Sequence, residues 1–81
     1  MFRTFRFQNP GPDPIVIRVE LWREEFALRA GSCLTMRCLT GPTPENPTIE
    51  WTSDGLTVWP ECFSYSVDID GVACARSEWV R

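Results

Sequence analysis

Ile15-Val16-Ile17-Arg18-Val19-Glu20-Leu21-Trp22 decides the fold. Apolar residues at 15, 17, 19 and 21 alternate with Val16, Arg18, Glu20 and Trp22. That period of two suits a strand, whose successive side chains point to opposite faces, and not a helix. The spacing predicts a strand over 15–22 with an aliphatic inner face and with Arg18, Glu20 and Trp22 on its outer face. On its N-terminal side Phe5 and Phe7 share a face opposite Thr4, Arg6 and Gln8. This earlier strand stops at Asn9-Pro10-Gly11-Pro12-Asp13-Pro14, where proline removes ladder donors.

On the C-terminal side Glu24-Glu25 mark a strand break, after which a hairpin is expected around Arg29-Ala30-Gly31. A three-residue loop there sets Phe26 against Leu34 and Leu28 against Ser32, keeps Met36 and Cys38 inside, and puts Gly31 at the left-handed position of the turn. Residues 40–48 hold three prolines and no large apolar side chain, and they are expected to cross between sheets. Two further hairpins are read with Asp54-Gly55 and Asp70-Gly71 as two-residue loops. The first sets Trp51 against Val58 and Glu50 against Trp59. The second sets Ile69 against Val72 and Val67 against Cys74, on the face of Phe63 and Tyr65. Residues 77–81 are expected to be a short tail.

Turn residues recurring about every ten positions predict an all-β fold. The expectation is a small antiparallel β-sandwich of about six to eight short strands, with a barrel as the alternative. The 81 residues suffice for one domain, 1–81, and their 43% hydrophobic content for a modest core. All eight basic residues are arginine, against eleven carboxylates and a net charge of −3. This balance opposes a nucleic-acid partner, which needs a clustered basic face. The longest strictly aliphatic run, Ile15-Val16-Ile17, falls far short of a membrane span. With no visible signal peptide, a cytoplasmic location is expected.

Histidine is absent, which removes imidazole bases and imidazole metal ligands together. No nucleophile-elbow or phosphate-loop motif is present, and no motif sets two carboxylates around a pocket, so the reading is non-enzymatic and without cofactor. Asp68, Asp70 and Gly71 resemble the start of a calcium loop but lack its closing glutamate. Cys33, Cys38, Cys62 and Cys74 lack zinc-ligand spacing and are expected as free thiols, with Cys38 and Cys74 inward and Cys33 and Cys62 outward. The candidate site is an exposed tryptophan surface of Trp22 and Trp59 beside Arg18, Glu20 and Glu50, with Trp79 a further indole in the tail. Indoles give large contact area at low entropic cost. They point to a homodimer or a protein partner, or else to a small carbohydrate- or ligand-binding module with both rings as stacking platforms.

Residues 21–32, Leu-Trp-Arg-Glu-Glu-Phe-Ala-Leu-Arg-Ala-Gly-Ser, followed by Asp54-Gly55-Leu56-Thr57-Val58-Trp59, resemble a pattern in short bacterial all-β proteins. The shared features are a Trp-x-Glu-Glu strand end and an Asp-Gly-x-Thr-Val-Trp hairpin. The resemblance implies a small bacterial all-β domain and carries over no activity, cofactor or site residue. The strand rhythm is also similar to that of immunoglobulin-like and cupredoxin-like sandwiches, although without histidine the usual copper ligand set cannot be assembled.

Overall fold

The computed structural model describes residues 1–43 and 46–78, so Trp79 and residues 80–81 of the expected tail lie outside it. Eight strands run in the order β1 (Phe2–Gln8), β2 (Ile15–Val19), β3 (Glu24–Leu28), β4 (Cys33–Leu39), β5 (Thr48–Thr52), β6 (Gly55–Trp59), β7 (Ser64–Ile69) and β8 (Val72–Glu78). They form two four-stranded sheets, β1-β4-β7-β8 and β3-β2-β6-β5, with no closed barrel. The sandwich is as the alternation predicts. Of the six strand pairs among the described residues, β2–β6 alone is parallel.

The core lies between the sheets. Ile17, Val19, Leu56 and Val58 face Leu34, Met36, Cys38, Tyr65 and Val67, with Leu28 beside them, and Phe5, Phe7 and Phe26 pack half-buried at its margin. In β4 and β7 every second residue is withdrawn from water, and burial of apolar surface contributes roughly 25 cal/mol per Å².

The expected hairpin at Arg29-Ala30-Gly31 is instead an arch. Ser32 N–H donates to the Arg29 carbonyl at 3.0 Å and Gly31 takes φ 82°, as its sequence demands. Yet β3 and β4 enter different sheets, β3 pairing with β2 and β4 with β1 and β7. Asn9 accounts for the change. It is buried in the proline-rich loop, donates from its backbone to Ser32, and accepts at its own carbonyl from Gly31. Its side chain donates to the carbonyls of Asp13 (2.8 Å) and Leu28 (3.0 Å) and accepts from Gly11 N–H (2.9 Å). The loop therefore takes the polar groups that a β3–β4 ladder would use.

Two other registers differ from expectation. The β5–β6 loop is Ser53-Asp54, so Trp51 faces Leu56, Glu50 faces Thr57 and Ile49 faces Val58. Gly55 belongs to β6 because β2 passes against it: a Cβ there would lie 1.9 Å from the Val16 carbonyl oxygen. In the β7–β8 hairpin Asp70 and Gly71 both take positive φ, as a two-residue turn of this chemistry requires, and Ile69 faces Val72. A bulge at Val67/Asp68 then inserts one residue, so Val67 faces Ala75 and Cys74 is exposed rather than inward. Phe63 precedes β7 and is also exposed. The connection that leaves β4 at Thr40 does cross between the sheets to reach β5.

Candidate aromatic groove

Beyond Val19 the alternation of the deciding strand ends in a turn at residues 20–23, with Arg23 at φ 60°. The turn reverses the expected sides: Leu21 is 67% exposed, whereas Trp22 is half-buried and packs against the core. There the indole meets Tyr65 edge to face, ring centroids 4.9 Å apart, and the Tyr65 hydroxyl donates to Glu24. Glu24 and Glu25 are therefore strand residues with partners, not a solvated break. This contact between the turn after β2, the start of β3 and the start of β7 fixes the indole from both sheets.

Trp59, at the end of β6, comes beside this turn because Val19 pairs with Val58 and Glu20 N–H donates to the Val58 carbonyl at 2.8 Å. Trp22 and Trp59 then line one pocket of about 580 Å³ together with Leu21 and Phe63, and Glu20, Glu61, Gly41 and Cys62 complete it. Its volume falls in the roughly 300–1,000 Å³ range of small-molecule sites. The walls are mainly aromatic and aliphatic, and among the described residues the charged side chains lining it are two carboxylates.

Of the five expected site residues, Trp22, Trp59 and Glu20 meet here, while Arg18 and Glu50 do not. Arg18 lies on the outer face of β2 and holds Glu25 at 3.1 Å and both carboxylate oxygens of Asp54 at 2.9 and 2.8 Å. These bonds hold the Asp54 carboxyl well below the usual carboxylate range, with a further bond from the Thr52 hydroxyl. Glu50 is exposed on β5, across from Thr57. Arg18 and Glu25 thus pair across neighbouring strands on the outer face.

Five residues of the groove lie outside the expected set: Leu21 and Phe63, which alternation puts on inner faces, Cys62, which it puts outward, and Gly41 and Glu61. Phe63 N–H donates to the Leu39 carbonyl at 2.8 Å and Glu61 takes φ 54°, which returns Cys62 toward the end of β4. There it is half-buried and packs against the core cluster that holds the buried Cys38. The Cys62 thiol and burial push the Cys38 thiol up, and the Cys38 thiol holds Cys62 below its ordinary value, against burial and Glu61. All four cysteines are unbridged.

Trp22 and Trp59 are both half-buried rather than exposed, and the exposed indole among the described residues is Trp51, at 78%. It and Ile49 share a face with buried Leu56 and Val58, but β5 overhangs the sandwich and all five of its residues are exposed. Among the described residues no helix is long and apolar enough to cross a membrane, and no group of three or more potential ligands could hold a metal ion. No protein-family model matches the chain, and no curated protein or solved structure matches it.

Proposed function

We propose that the chain is a non-enzymatic interaction domain that acts as an accessory subunit, receiving an apolar side chain of a protein partner in the Trp22–Trp59 groove. The observation that carries this reading is the convergence of Trp22, Trp59, Leu21 and Phe63 on one open pocket edged by Glu20 and Glu61. Aromatic side chains in a concave site contribute most of the binding energy in protein interfaces. The two carboxylates favour a partner whose apolar residue is followed by a basic one. They disfavour the homodimer, because a self-complementary contact would bring the carboxylates of two copies together. The resemblance to short bacterial proteins and the four unbridged thiols support a bacterial, cytoplasmic setting.

The second reading, a carbohydrate or small-ligand module, draws support from the pocket's volume. It is weakened by the seating of Trp22, whose ring is half-buried and held edge to face against Tyr65.

Tryptophan emission, titrated with amidated Leu-Arg and Leu-Glu dipeptides and with cellobiose, distinguishes the readings. A saturable shift with Leu-Arg alone, absent in Trp59→Ala and weakened in Glu20→Gln, is the expected result. Equal response to Leu-Glu, or no response to either peptide, overturns it, and a shift with cellobiose alone selects the second reading. Molar mass by light scattering should stay that of one chain as concentration rises.

A further inference from the structure

We propose that Cys62 and Cys38 form a thiol–disulfide exchange site, in which Cys62 attacks a small organic disulfide entering the aromatic groove and Cys38 then closes an intramolecular bond. The inference goes beyond the interaction reading and uses only the groove's opening, whatever partner the groove takes.

Three observations carry it. The first is placement: the Phe63–Leu39 hydrogen bond and the turned backbone at Glu61 bring Cys62, 24 positions from Cys38 in sequence, against the core cluster that Cys38 belongs to. The second is unequal access. Cys62 lines the groove, whereas Cys38 is fully buried beneath it, so a reagent in the groove meets one sulfur first. The third is charge. Arg3 faces Cys38 across the β1–β4 ladder, and this cation opposes the rise that Cys62 and burial impose on the Cys38 thiol. The adjacent Cys38 thiol favours the thiolate of Cys62, the form that attacks disulfides.

The chemistry balances as follows. The Cys62 thiolate attacks one sulfur of a disulfide RSSR, forming a Cys62–SR bond and breaking the reagent's S–S bond. The departing RS⁻ takes a proton to become RSH. Cys38 then loses its proton and attacks the Cys62 sulfur, forming the Cys38–Cys62 bond and releasing the second RS⁻, which is protonated in turn. Two protein thiols are oxidised to one disulfide, and one small disulfide is reduced to two thiols.

The test uses the reduced chain carrying Cys33→Ser and Cys74→Ser, which removes the other half-buried thiol and the exposed one. It is treated with glutathione disulfide, quenched with acid and weighed by mass spectrometry. The expected product is the protein lighter by two hydrogens, with no lasting glutathione adduct. Adding Cys38→Ala should stop the reaction at one glutathione on Cys62, and adding Cys62→Ala should slow modification about tenfold or more. Far-UV circular dichroism of each variant checks that it is folded. Should a substitution unfold the chain, the time course of the parent decides, since it must pass through a single adduct before the lighter product appears. A lasting adduct with both thiols present, modification of Cys38 as fast as Cys62, or reaction only after unfolding overturns the proposal. None of these outcomes bears on peptide binding by the groove, so the two proposals fail separately.

Discussion

Asn9 joins three parts of the chain through one small side chain: its own loop at Gly11 and Asp13, the end of β3 at Leu28, and, through its backbone, the arch at Gly31–Ser32. Asn9→Ala keeps the backbone bonds but leaves the buried Leu28 carbonyl without that donor. Such a loss costs about 2 kcal/mol, and urea unfolding should report it. Asp54 sets the acid limit in a different way. Its folded-state value is depressed by Arg18, so its contribution to stability is present above the ordinary carboxylate value and is lost as pH falls through the folded value. Asp70, held low by Cys33 N–H, acts in the same direction. Melting temperatures of Asp54→Asn and the parent should differ most near neutral pH, and the difference should shrink steadily as pH falls from about 4 to about 2. A constant difference across that range would show that the carboxylate's charge is not what matters. Neither role was legible in the sequence, because the partners of Asn9 and Asp54 lie 19 and 36 positions away.

Strands were legible where both periodicity and turn chemistry agreed. The Asp70-Gly71 hairpin closes as its residues dictate, and β1 and β2 keep their alternation to the last paired residue. Alternation misleads where backbone geometry intervenes. The turn at 20–23 exchanges the sides of Leu21 and Trp22, the β8 bulge turns Cys74 out, and Gly55 serves close approach rather than a turn. That last difference can be measured. Gly55→Ala drives a Cβ into the Val16 backbone, which cannot yield without parting β2 from β6. Gly71→Ala meets open space and suffers only from φ 82°, a strain of about 1 kcal/mol. Urea unfolding should find Gly71→Ala folded with a modest loss and Gly55→Ala unfolded or nearly so. Equal stability would show that the β2–β6 contact is slack.

At the scale of the molecule, two packed sheets follow from the number of short alternating strands, and the groove follows from how those sheets end. Trp22 and Trp59 could be singled out as indoles near strand ends, but their meeting depends on the parallel register of β2 with β6. Periodicity within each strand carries no information about that register. The same holds for Cys38 and Cys62, which come together only because β6 crosses to β7 over the end of β4.

The pairing of Val16 with Gly55 also governs how the chain can be made. While the ribosome is still adding the middle of the protein, β2 can find β3 but not its other neighbour, and β1 waits for β4. Closing such distant pairings is an entropic toll collected before any reward, and it places folding among the slower two-state topologies. A nascent chain of this kind keeps its greasy N-terminal ribbons open until translation is well advanced, so a chaperone would find its client early, long before the groove exists.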